Sequence, residues 1–193
     1  MKKLVVLLMA MLVATSAFAI VDPDDNMMGF YFDLEAENPC IAGVAPYAQV
    51  PMYLVMTNMT ADALYGFEVG YDVIGEGMIL STVFANPSVI DVGAPGNHIV
   101  GFGAPTATAP VTLLATLTVM YMDTAMEGVH FLMHGTIPSS IDPDYPVVLL
   151  ADGVLLSVGL SAADGAVAQI NGVECMVVAT EEVSFDGIKS LYR

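Results

Sequence analysis

Short runs of alternating apolar and polar residues follow one another along this chain, broken by turn residues at roughly 8–12-residue intervals. The first clear run covers residues 29–36. There Phe30, Phe32 and Leu34 share one face while Tyr31, Asp33 and Glu35 share the other, the period of a half-buried strand. Asn38-Pro39 ends it. Further strands are predicted at 50–58, with Pro51 placing its start near a sheet edge, and at 64–73, 78–84 and 88–92, the last two split by Asn86-Pro87. After the turn at 94–97 come a strand at 98–102, a loop at 104–110 and a strand at 111–122, where Thr112, Thr116 and Thr118 interleave with Leu113, Leu117 and Val119. Strands at 129–134, 147–150 and 154–158 complete the set, the last two joined by a tight turn at Ala151-Asp152-Gly153, with weaker candidates at 167–170 and 176–180. No helical stretch separates the strands, as a parallel α/β sheet would require, and no internal repeat is found. The pattern predicts an all-β fold, an antiparallel β-sandwich.

The two ends read differently. Lys2 and Lys3 precede an uncharged apolar stretch at 4–14, and Ala17-Phe18-Ala19 supplies a small-x-small site. That is the pattern of a secretory signal helix cleaved between Ala19 and Ile20, too short to span a bilayer. Residues 20–27 then form an acidic leader, 28–180 the sandwich, and 181–193 a tail. In the tail Ser184 can cap a short C-terminal helix that places Phe185, Ile188, Leu191 and Tyr192 on one side and Lys189 and Arg193 in its last turn. This segment either packs on the sandwich or serves as a docking element. The expected destination is the periplasm or the extracellular medium.

Export changes the charge balance. Losing residues 1–19 takes half the basic residues and leaves Lys189 and Arg193 against 21 acids, a formal charge of −19. Such a surface repels nucleic acid and anionic membranes, and no apolar run after residue 19 is long enough to insert. The high apolar content excludes disorder. In an oxidising compartment Cys40 and Cys175 are expected to pair, closing a loop of about 135 residues worth roughly 4–5 kcal/mol in the chain-entropy model.

Candidate chemistry is sparse. His130 and His134 are four residues apart, but on a strand that spacing separates them by about 13 Å, too far to share an ion. The carboxylate clusters Asp22, Asp24, Asp25 and Asp142, Asp144 supply the oxygen ligands calcium prefers, yet neither has the spacing of an EF-hand loop. No cofactor is expected, calcium being the one ion weighed. Gly159-Leu160-Ser161 lacks the rest of a nucleophile elbow, and no catalytic residue is assigned.

Three segments resemble cohesin-type domains: Tyr65-Gly66-Phe67-Glu68-Val69-Gly70-Tyr71-Asp72, Leu114-Ala115-Thr116-Leu117-Thr118-Val119, and Asp152-Gly153-Val154-Leu155. The similarity covers about residues 28–160. It implies a nine-stranded jelly-roll sandwich and a role in protein–protein docking or carbohydrate-related scaffolding. The chain is therefore expected to be an exported, non-catalytic binding or structural module with a protein partner. The alternatives are a carbohydrate-binding domain or a carbohydrate-active hydrolase contacting polysaccharide, and a subunit of a surface layer or filament. Aromatics clustered on one exposed sheet face would favour sugar; a flat apolar or edge-strand patch would favour protein.

Overall fold

The computed structural model describes residues 24–125, 127–162, 166–172 and Cys175. The signal segment with its cleavage pair Ala19 and Ile20, Asp22, the strand expected at 176–180, and the tail residues Phe185, Ile188, Leu191 and Tyr192 lie outside the described residues.

Two β-sheets face each other. The first runs β12 (Gly159–Leu160), β1 (Met27–Tyr31), β3 (Gln49–Thr57), β8 (Val111–Tyr121), β5 (Gly77–Phe84). The second runs β11 (Leu155–Ser157), β10 (Val147–Leu149), β4 (Ala63–Ile74), β9 (Val129–His134), β13 (Ala166–Ile170), β2 (Cys40–Ile41). Along the other edge of β4 lie β7 (Asn97–Ala107) and, beyond it, β6 (Val89–Asp91). Most pairings are antiparallel, as the alternation predicts; β1 with β12 and β2 with β13 are short parallel pairs.

The core lies between the sheets because the longer strands send alternate residues inward. Met52, Leu54, Met56, Leu117 and Val119 from the first sheet meet Phe67, Val69, Phe131, Met133 and Val148 from the second, all buried. Phe30 packs edge to face on Tyr71 and Phe131, with ring centroids 5.3 and 6.2 Å away, the geometry favoured by the ring quadrupoles. Methionine fills the irregular gaps in a chain without tryptophan.

The first predicted strand is shorter than the alternation implies. It ends at Tyr31, and residues 32–36 bend away. Asp33 accepts the Glu37 amide at 2.9 Å and also binds the Asn38 side chain, Phe32 N–H reaches Asn38 O, and Ala36 takes φ +58°. The loop closes over Tyr31 and Val55 on the outside of the first sheet, which leaves Leu34 51% exposed rather than inward. Residues 104–107, expected as loop, extend β7. Pro51 sits where β3 has lost its β1 neighbour, since that pairing stops at Tyr53. The 151–153 turn is one turn of 3₁₀ helix with Asp152 at φ +59°.

The end of the second sheet is tied twice. Cys40 and Cys175 form a disulfide with Cα atoms 5.2 Å apart. Nearby, Asn171 bridges Val44: its Oδ1 accepts the Val44 amide at 3.0 Å and its Nδ2 donates to the Val44 carbonyl at 2.8 Å.

One connection interrupts a strand. β9 runs down β4 to the His134–Gly70 pair, and β10 resumes on the same edge at the Val147–Glu68 pair. The twelve residues 135–146 between them leave the sheet as a compact loop, pinched at its base by a Gly135 N–H···O Pro143 bond.

Candidate functional site

The strand that resembles the cohesin pattern, β4, carries the relevant geometry. Its register puts Phe67, Val69 and Tyr71 in the core and Gly66, Glu68 and Gly70 on the outer face. On that face Gly66 pairs with Gly101 of β7 and with Leu149 of β10, while Gly101 pairs with Ile90 of β6 and Leu149 with Leu155 of β11. A row across five strands therefore reads Leu155, Leu149, Gly66, Gly101, Ile90. The flanking positions are aliphatic and Gly101 has no side chain, and along this row Leu155, Leu149, Gly101 and Ile90 line a groove of about 290 Å³.

Its walls are exposed: Ile90 by 71%, Val92 by 72% and Leu155 by 39%. The two glycines differ in what surrounds them. A Cβ on Gly66 would run into the Val100 carbonyl and the Gly101 Cα, whereas a Cβ on Gly101 would meet nothing within 4 Å. Gly66 lets two backbones approach; Gly101 leaves the groove floor open. Glu68 lines the groove and holds the 135–146 loop beside it, accepting from the Ser140 amide at 3.0 Å and the Thr136 hydroxyl at 3.2 Å, and binding the Ser140 hydroxyl.

A second polar arrangement lies at the open edge of the sandwich, in a cavity of about 560 Å³ between β5 and the 95–98 turn. His98 Nδ1 donates to Asp91 Oδ2 at 2.6 Å, which leaves Nε2 to accept from the Tyr71 hydroxyl at 3.0 Å. Burial pushes the Tyr71 phenol above its ordinary value of 10.0 and the Asp91 charge adds to this, against opposing hydrogen bonds from Thr82 and the Gly96 backbone. The other Asp91 oxygen takes the Gly93 and Ile99 amides at 2.9 and 3.2 Å. An Asp–His–Tyr chain can relay protons in a hydrolase, but here it is closed upon itself. Its polar atoms are spent tying the β6–β7 hairpin to β4 and, through Thr82, to β5. No spacing along the chain announces it, because Asp91, His98 and Tyr71 are brought together by the pairing of β4, β6 and β7.

The other candidate residues are dispersed. His130 and His134 share the outer face of the second sheet, opposite Ile74 and Gly70 respectively. His134 Nδ1 donates to the Gly135 carbonyl at 2.5 Å, and its Nε2 lies 3.6 Å from Asp72. Asp24 and Asp25 precede β1, while Asp142 and Asp144 lie in the 135–146 loop, where Asp142 Oδ1 caps the Asp144 amide at 2.9 Å. Among the described residues no three His, Cys, Asp or Glu side chains group closely enough to hold a metal ion. Among the described residues the exposed aromatics Tyr47, Tyr65 and Tyr145 sit on three separate segments.

No family model matches this sequence, and no curated relative matches it. Among solved structures, it is similar to the third ScaB cohesin of R. flavefaciens, solved with a group 1 dockerin (12% identity, 77% of this chain and 96% of that one, TM-score 0.49). It is similar also to the sixth cohesin of Acetivibrio cellulolyticus scaffoldin B, solved with a Cel5 dockerin (11% identity, 77% and 99%, TM-score 0.47). A third is a non-cellulosomal cohesin of the archaeon Archaeoglobus fulgidus (8% identity, 71% and 86%, TM-score 0.48). All three are cohesin modules, and the likeness is one of fold.

Proposed function

We propose that this chain is an exported, non-catalytic docking module that takes a protein partner on the outer face of its second sheet. The observation that carries the proposal is the groove itself: a floor left open at Gly101 between Leu149 and Leu155 on one side and Ile90 and Val92 on the other. Aliphatic side chains left in water beside a side-chain-free floor fit an inserted apolar ridge, the pattern of a protein-docking surface. Glu68 within the groove and the surplus of acids over the whole chain favour a partner whose ridge is flanked by basic residues. The Lys2–Ala19 signal pattern and the Cys40–Cys175 disulfide support export.

The test is a comparative capture from the source organism's secretome with the wild-type chain and with Gly101→Val, which plugs the groove floor. A protein retained by the wild type and lost with the variant is expected. Equal retention by both would overturn the assignment of the groove, and specific binding on a glycan array would replace a protein partner with a polysaccharide.

A further inference from the structure

Among the described residues, four of the five strands that end a sheet path are very short: β2 and β12 have two residues each, β6 and β11 three each. Short edges are one way in which sheet proteins avoid pairing with other chains. The exception is β5. It has eight residues, Gly-Met-Ile-Leu-Ser-Thr-Val-Phe, pairs among the described residues only with β8, and carries neither charge nor proline. Met78, Leu80 and Val83 are 42, 41 and 64% exposed along it. In a chain with 21 acids, no charged residue occurs from Gly77 to Ile90. A long, neutral edge is the feature that charged or prolyl gatekeepers normally remove, and here a single register shift near Leu80 is the one interruption in its pairing with β8.

We propose that β5 pairs antiparallel with β5 of a second copy of this chain, joining two first sheets into one continuous sheet across a twofold axis. A basic partner would be drawn to acids, and β5 itself carries none, although Glu76 precedes it and Asp72 shares the adjoining cavity. Two copies of so acidic a chain can approach closely only where their own surface is neutral. The strand also complements itself. Pairing with β8 places Met78, Ser81 and Val83 outward, and Gly77, Ile79, Thr82 and Phe84 inward, with the register shifting at Leu80. The antiparallel register that uses all eight residues sets Met78 against Val83, Leu80 against Ser81, Ile79 against Thr82 and Gly77 against Phe84. Outward residues then meet outward ones and inward meet inward, as pairing requires. A twofold contact of this kind closes on itself, so it gives dimers and not filaments.

Sedimentation of the purified protein over a range of concentrations tests this. A species of twice the monomer mass is expected. Leu80→Glu should weaken the dimer at least tenfold, because two carboxylates then crowd the axis, while leaving the circular dichroism spectrum unchanged. Mixing Leu80→Glu with Ser81→Lys chains should restore a mixed dimer, since residue 80 of one copy faces residue 81 of the other. Should Leu80→Glu fail to fold, Val83→Glu, at a more exposed position, makes the same measurement. A wild-type chain that stays monomeric at every concentration, or a dimer indifferent to both variants, overturns the proposal. Gly101→Val should leave the dimer intact, so loss of partner docking and loss of dimerisation are read separately.

Discussion

Gly66 and Gly101 face each other across β4 and β7, and the same kind of substitution should have opposite effects at the two positions. At Gly101 an added Cβ has no neighbour within 4 Å, and the backbone φ is not positive. A glycine inside a strand costs about 0.5–1 kcal/mol in backbone entropy, so Gly101→Val should stabilise the fold by about that amount. For a domain of this size this corresponds to a rise in Tm of roughly 1–4 °C. At Gly66 the Cβ collides with the Val100 carbonyl and crowds the Gly101 Cα, both of them backbone. β4 and β7 must move apart, and overpacking of this kind costs about 1–3 kcal/mol. The two variants should therefore differ by about 1.5–4 kcal/mol in urea denaturation, with Gly101→Val above the wild type and Gly66→Ala below it. Binding should show a different pattern. The valine takes the space of an apolar partner group whose burial contributes about 1.5–3 kcal/mol, so partner affinity should fall roughly 10- to 150-fold while stability rises. A Gly101→Val protein less stable than wild type would refute the reading of the groove floor as open space. One that is more stable and still binds fully would refute the reading of the groove as the docking site.

Three further outcomes follow from particular contacts. Asn171→Ala leaves the buried Val44 amide and carbonyl without their side-chain partners and should lower stability by about 2–4 kcal/mol; Asn171→Gly, which tolerates the φ of +53°, should recover only a small part. Replacing Cys40 and Cys175 together by serine should cost roughly 4–5 kcal/mol in denaturant unfolding, the chain-entropy value for a loop of 135 residues. Because the Tyr71 phenol titrates above 10.0 in the folded chain, it favours folding below that pH, and its contribution is lost as pH rises through the folded value. Tyr71→Phe should accordingly flatten the alkaline fall of Tm, and an unchanged alkaline limb would exclude Tyr71 as its source.

The architecture was legible where burial is one-sided. Residues 129–134 and 111–121 alternate cleanly because one face of each strand meets the core, and their predicted limits match β9 and β8 to within a residue. Alternation misled at residues 32–36, where Asp33 side-chain bonds and a positive φ at Ala36 turn the chain out of the sheet despite its period-two pattern. β2 and β12 were invisible, since two residues paired in parallel carry no period at all. The groove was half legible: Gly66 was noticed as part of a cohesin-like strand, but nothing in the sequence says that Gly101, 35 positions later, lies beside it. The Asp91–His98–Tyr71 chain was unreadable for the same reason, because such a network is a property of strand register rather than of spacing.

The 135–146 loop leaves β4's edge after the Gly70 pair and returns at the Glu68 pair, so the sheet is complete with or without it. Its ends are fixed, with Thr136 and Pro146 buried and Pro146 O accepting from Val158 N–H. A change of length or sequence at its exposed tip, residues 141–145, need not alter strand register. Its attachment to the groove runs through the Glu68 carboxylate, which binds Thr136 and Ser140. The fold thus separates what must be conserved for folding from what can vary for recognition. Natural drift or deliberate grafting at this one loop can re-edge the groove for a new partner while the sandwich beneath it stays the same.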